Sequence, residues 1–141
     1  MSELVVSFGS SAATGPVVTT HDRDGERHEA IAGYSRGVRR GSKIAVSGTT
    51  ARGDAARGST YEQTRDCIAR AVASVLRLGG SRDDIVRTRV LLVPGADWEQ
   101  AAAAHQELLG DVAPANTMVF VSGLVGDGLL VEVEADAEVA T

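Results

Sequence analysis

The strongest constraint on this chain lies in its middle, where two capped helical segments flank one short apolar strand. Ser59 and Glu62 stand three residues apart in a capping-box pattern, which satisfies free amides in the first turn of a helix. Ile68, Val72, Val75 and Leu76 then recur at i, i+4, i+7 and i+8, one helical face, and Gly79-Gly80 stops the run. Asp97, with Gln100 three residues on, opens a second helix. Its inner face is marked by Trp98, Ala101, Ala102, His105, Leu108 and Leu109, and Gly110 ends it. Between the two, Thr88 to Val93 reads as a strand broken by Pro94-Gly95. Helices that each hold one apolar face and are separated by a strand must pack against a sheet.

The remaining strands follow from turn signals and alternation. Glu26 to Ile31 and Tyr34 to Val38 are short candidate strands separated by Ala32-Gly33. Lys43 to Ser47 is a third, ending at Gly48, and Gly53 to Gly58 is a polar loop. Thr117 to Val121 and Leu129 to Ala137 complete the set, joined by Gly123 to Gly128. The predicted order is β-β-β-α-β-α-β-β, an α+β fold with both helices on one face of a mixed sheet. Residues 1–25 read as a separate N-terminal arm, small and turn-rich from Ser7 to Pro16. There, Leu4 to Val6 and Val17 to Thr20 suggest either a hairpin added to a sheet edge or a mobile tail. Residues 26–141 form the domain proper.

A length of 141 residues suits one domain with one core. A formal charge of −5 disfavours a nucleic-acid partner, since phosphate binding relies on clustered lysine and arginine. The local runs Arg36, Arg39, Arg40 and Arg87, Arg89 read as solvated strand edges or loops. Cys67 is the only cysteine, which excludes an intramolecular disulfide and a cysteine-rich metal site. His21, His28 and His105 are scattered without metal-ligand spacing. No apolar run approaches the roughly 20 residues a membrane span needs, and Met1 to Val6 lacks the basic start and long apolar stretch of a secretory signal. The expectation is a cytoplasmic, cofactor-free protein without metal. Cys67, mid-helix among apolar residues, reads as a buried inert thiol, and His105 as a packing histidine.

Six short motifs occur in a distinctive order: Gly33-Tyr34-Ser35, Val46-Ser47-Gly48-Thr49, Gln63-Thr64-Arg65, Val86-Arg87-Thr88-Arg89-Val90, Pro114-Ala115-Asn116-Thr117-Met118 and Val131-Glu132-Val133-Glu134-Ala135. In this order and spacing, from about Glu26 to Ala137, the chain resembles the RidA (YjgF-like, endoribonuclease L-PSP) family of reactive-intermediate deaminases. The resemblance implies a chorismate-mutase-like fold and a homotrimer with a central barrel. It also implies a cleft between subunits where water hydrolyses a small enamine or imine to a carbonyl compound and ammonia. Mapped by motif, Tyr34 matches the tyrosine that closes the cleft, Ser47 and Gly48 the pair whose backbone contacts substrate, and Glu132 the glutamate that orients water. Some members are described as ribonucleases, a reading the charge balance does not help.

Four positions depart from the active pattern. Asn116 replaces the arginine that grips the substrate carboxylate, and a neutral amide cannot match a bidentate charged clamp. Hydrogen bonds to charged groups contribute about 1.5–3 kcal/mol, so the exchange costs roughly tenfold to a hundredfold in binding. Met118 stands in place of a cysteine, Ala102 of an asparagine and His105 of a tyrosine. Two functions follow. One is a Rid-like hydrolase or isomerase of a small substrate lacking a necessary α-carboxylate, with Asn116 binding its polar atom, Glu132 handling proton or water, and Tyr34 and Met118 as apolar walls. The other is a non-catalytic metabolite-binding or chaperone-like trimer. Independently of the resemblance, Val90 and Leu92 point to one side of their strand and Leu91 and Val93 to the other. Two helices cover one face only, so the second, apolar on this reading, calls for a partner, most economically further copies of the chain.

Overall fold

The computed structural model describes residues 15–140. Six strands form one mixed sheet: β1 (Thr19–Asp22), β2 (Gly37–Arg40), β3 (Lys43–Thr50), β4 (Ile85–Leu92), β5 (Ala115–Phe120) and β6 (Val131–Glu138), in the order β1-β2-β3-β6-β4-β5. All neighbours are antiparallel except β4 and β5, the parallel pair that the crossover helix between them requires. Helices α2 (Thr60–Arg77) and α3 (Trp98–Leu109) follow the capped segments read from the sequence. Ser59 Oγ accepts from the Glu62 amide, and Asp97 accepts from the amides of Glu99 and Gln100.

Residues 26–31 are not a strand. They form most of a short helix, α1 (Arg27–Ala32), so the chain runs β-α-β-β-α-β-α-β-β. The buried Glu29 explains the difference: its two carboxylate oxygens accept from the amides of Asp24 and Gly25, tying down the turn that enters the helix. Gly33, at φ 73°, closes it by donating to the Glu29 carbonyl, a left-handed cap that glycine adopts without steric cost. The following strand begins at Gly37 rather than Tyr34, and the first strand is instead β1, within the stretch set apart as an arm. Asp22 fastens it there, accepting from Arg77 at 2.9 and 2.8 Å and from Ser74 at 2.7 Å. Leu4 to Val6, the other half of the expected hairpin, lies outside the described residues.

The core sits between one sheet face and the two helices. Ile44 and Val46 of β3, Val90 and Leu92 of β4, and Val131, Val133, Ala135 and Ala137 of β6 face Cys67, Ile68, Ala71 and Val75 of α2. Leu76 proves exposed, and α3 contributes Ala101, Ala104 and Leu109 while Trp98 stays on the surface. Gln63 is a buried polar staple. Its amide nitrogen donates to the carbonyls of Ala56 and Gly58, and its oxygen accepts from the Leu130 amide at 2.9 Å, joining the loop before α2 to the turn before β6.

The second face of the sheet differs from expectation. Leu91 is half-buried there, but the same face carries Glu132, Glu134, Asp136 and Arg89, with Arg89 Nη1 3.3 Å from Glu134 and 3.5 Å from Asp136. It is a mixed, ion-paired surface, because β6 alternates valine or alanine inward with carboxylates outward along its whole length.

Candidate functional site

Glu132 of β6, whose carboxylate lies against the irregular step of β3, is the chemical centre of one candidate site. Between Val46 and Thr49 the β3–β6 register shifts, so Ser47 and Gly48 occupy an irregular step of the strand. The step brings Gly48 against Glu132: a Cβ built on Gly48 would collide with Glu132 Oε1. Glycine here makes room for a carboxylate. Glu132 is half-buried, and burial together with the neighbouring Glu134 charge pushes its carboxyl above the ordinary range, against the pull of Arg36. Ser47 Oγ donates to the Ser35 carbonyl at 2.6 Å and shares a cavity of about 500 Å³ with Tyr34, His21 and Ser35. Tyr34, Ser47, Gly48 and Glu132 thus fall on neighbouring parts of β3, β6 and the turn before β2.

The sequence reading missed one residue of this group. Arg36, taken for part of a solvated basic run, is only 6% exposed, and its Nη2 donates to the Gly48 carbonyl. Its place directly after Tyr34-Ser35 was the available signal, since a strand's period of two cannot place every residue of a charged run outside.

Asn116 and Met118 lie elsewhere. They stand on β5, the edge strand, facing α3, and line a cleft of about 480 Å³ whose other walls include Trp98, Ala102 and Phe120. Asn116 Nδ2 donates to Thr88 Oγ1 at 3.0 Å, and Thr88 Oγ1 lies 2.7 Å from His105 Nε2. Having accepted from Asn116, the Thr88 hydroxyl has its own hydrogen left to donate to His105. Burial pushes the imidazole pKa down and favours the neutral ring that this arrangement needs. Asn116 is therefore oriented by a chain of two buried or half-buried groups, neither singled out beforehand for that part.

Within one chain the two groups do not meet. Asn116 pairs with Thr88, and Thr88 with Ala135, three residues along β6 from Glu132. Two strand spacings and three residues of rise separate them by roughly 10 Å in each direction. They also face opposite sides of the sheet: Thr88 and Ala135 are buried beneath the helices, and Glu132 lies on the open face.

Residues 25–139 match the family model described as Endoribonuclease L-PSP. The chain belongs to this family, the RidA/YjgF family. An uncharacterised protein of Streptomyces coelicolor is 35% identical over 118 residues, 82% of this chain and 88% of its own length. A RutC family protein of Pyrococcus abyssi is 32% identical over 111 residues, 76% and 87% of the respective chains. Among solved structures, a Mycobacterium tuberculosis member of the YjgF/YER057c/UK114 family has a TM-score of 0.80 at 37% identity, covering 86% of this chain and 100% of that one. The L-PSP assignment accounts for the α+β architecture and for the order of the six motifs. No helix among the described residues is long and apolar enough to cross a membrane.

Proposed function

We propose that this L-PSP family protein is a Rid-like hydrolase of a small imine, enamine or related carbonyl compound, working in a cleft between copies of the chain. The observation that carries the reading is the carboxyl of Glu132, half-buried against the bare Cα of Gly48 and held toward its protonated form. Hydrolysis of a C=N bond needs one group to take a proton from water and return one to the leaving nitrogen. A carboxyl raised toward neutrality suits both steps. Ser47 and Gly48 would offer backbone contacts, and Tyr34 would close the site.

Asn116 and Met118, too far from Glu132 in their own chain, would reach it from a neighbouring copy, which is the role of the proposed homotrimer. Among the described residues the lining of their cleft has no cation, so it would receive an uncharged, largely apolar part of the substrate, with Asn116 binding a polar atom. A standard α-imino acid such as 2-iminopropionate would then be a poor substrate.

Ammonia release from freshly generated imines, with and without an α-carboxylate, tests the reading. Carboxylate-free imines are expected to be turned over, and Glu132→Gln to abolish that turnover; undiminished turnover by the variant sinks it. One observation favours a second reading, a metabolite-binding trimer without catalysis: Asn116 is already tied to Thr88. For that case, no imine is consumed while a carbonyl metabolite raises the melting temperature.

A further inference from the structure

Behind the bulge that carries Gly48, on the helix side of the sheet, arginines crowd a second cavity of about 280 Å³. Its charged lining consists of five guanidinia against two carboxylates, Asp22 and Asp24. Asp22 is committed to Arg77, which grips both its oxygens. Asp24 is shared, 3.1 Å from Arg52 and 3.7 Å from Arg70, and Arg52 also reaches Glu26. Arg70 spends an Nη1 hydrogen on the Thr50 carbonyl. Arg36 has no carboxylate in contact among the described residues: its Nη2 donates to the Gly48 carbonyl, and its buried Nε has no acceptor. Arg23, the fifth, is exposed.

Positive charge is therefore in excess where it is least hydrated. Burial, followed by the charges of Arg52 and Arg36, pushes the Arg70 guanidinium below its usual range, despite Asp66 and Asp24. A buried cation without a partner is among the most unfavourable features a fold can hold, and native structures normally pair it. The missing partner has the sign of an anion. Its shape also follows. One carboxylate edge is satisfied by one guanidinium fork, as Asp22 is by Arg77, whereas three guanidinia from the turn before β2, from α2 and from the loop after β3 suit oxygens pointing in several directions.

We propose that this cavity is a binding site for a small, multiply charged oxyanion, inorganic phosphate or the phosphoryl end of a metabolite, held by Arg36, Arg52 and Arg70. It adjoins the cleft residues only through Arg36, whose guanidinium bonds the Gly48 carbonyl, and it does not depend on the imine reading.

Titration calorimetry of the full chain with sodium phosphate, sodium acetate and glycerol phosphate, at matched ionic strength, tests it. Phosphate is expected to bind saturably, one per chain, and to raise the melting temperature, while acetate does neither. Binding by glycerol phosphate as well marks a phosphoryl-ester site, and binding by phosphate alone an inorganic-ion site. Arg52→Met and Arg70→Met are each expected to weaken phosphate about tenfold or more. Arg65→Met, on the exposed side of α2 beside Glu107, is expected to leave it unchanged. The two partly exposed positions decide the matter even should Arg36→Met fail to fold. Equal responses to acetate and phosphate, or undiminished phosphate binding by both cavity variants, would overturn the proposal.

Discussion

Gly48 and Glu132 form the sharpest residue-level coupling in the molecule, because one lacks the atoms whose space the other fills. Gly48→Ala places a methyl into the Glu132 carboxylate, and overpacking of this kind costs about 1–3 kcal/mol. Since the obstructing group is a side chain able to turn away, the loss is expected to disappear in a Glu132→Ala background, as read from urea unfolding of the double-mutant cycle. Glu132 also sets a pH signature. Its folded pKa lies above the unfolded value, so the folded state keeps a proton longer, and stability falls as pH rises out of the ordinary carboxyl range. Glu132→Gln removes that penalty. It is expected to melt above the wild type at about pH 8 and level with it at about pH 3.5, below both values. A constant difference across that range would mean that the carboxyl is not raised.

At the level of elements, the fold depends on polar staples as much as on its apolar layer. Gln63 sits on the first turns of α2 yet serves two loops at once, and its burial leaves no water to replace it. Gln63→Leu keeps the volume and strands two carbonyls and the Leu130 amide. It is expected to cost on the order of 3 kcal/mol in urea unfolding, and an unchanged midpoint would show that those groups find water instead. Elements also show where alternation misleads. Glu26 to Ile31 has too few apolar residues to settle a period, and the turn held by Glu29 decides for a helix. On β6, by contrast, eight residues alternate without exception, and the strand is placed within two residues of its reading.

On the scale of the whole molecule, the proposed function asks how Asn116 and Glu132, on opposite faces of one sheet, would serve one site. The proposed seam between copies answers it and permits a test by mixing. Asn116→Arg is expected to create or raise activity on 2-iminopropionate by restoring a charged clamp. The wild type lacks the arginine, and the Asn116→Arg/Glu132→Gln double variant lacks the carboxylate. When the two are unfolded and refolded together, a seam that takes Glu132 from one copy and residue 116 from the next yields about a quarter of the sites active. Sites confined to one chain yield none, so a silent mixture, with Asn116→Arg itself active, removes the shared cleft. Native mass spectrometry of the same samples is expected to show trimers.

Local chemistry alone determined the helices, with their caps and stops, the alternation of β6, the burial of Cys67 and the family motifs, because each rests on neighbours within a few residues. Only the tertiary structure decided that Arg36 is buried beneath Gly48, that Thr88 and His105 orient Asn116, and that the open face is ion-paired rather than apolar. Those outcomes depend on which strands lie side by side, with β6 between β3 and β4 although it comes last in the chain. A pattern of period two tells that residues share a face, and pairing across some 85 residues of sequence, as between Gly48 and Glu132, tells what they face.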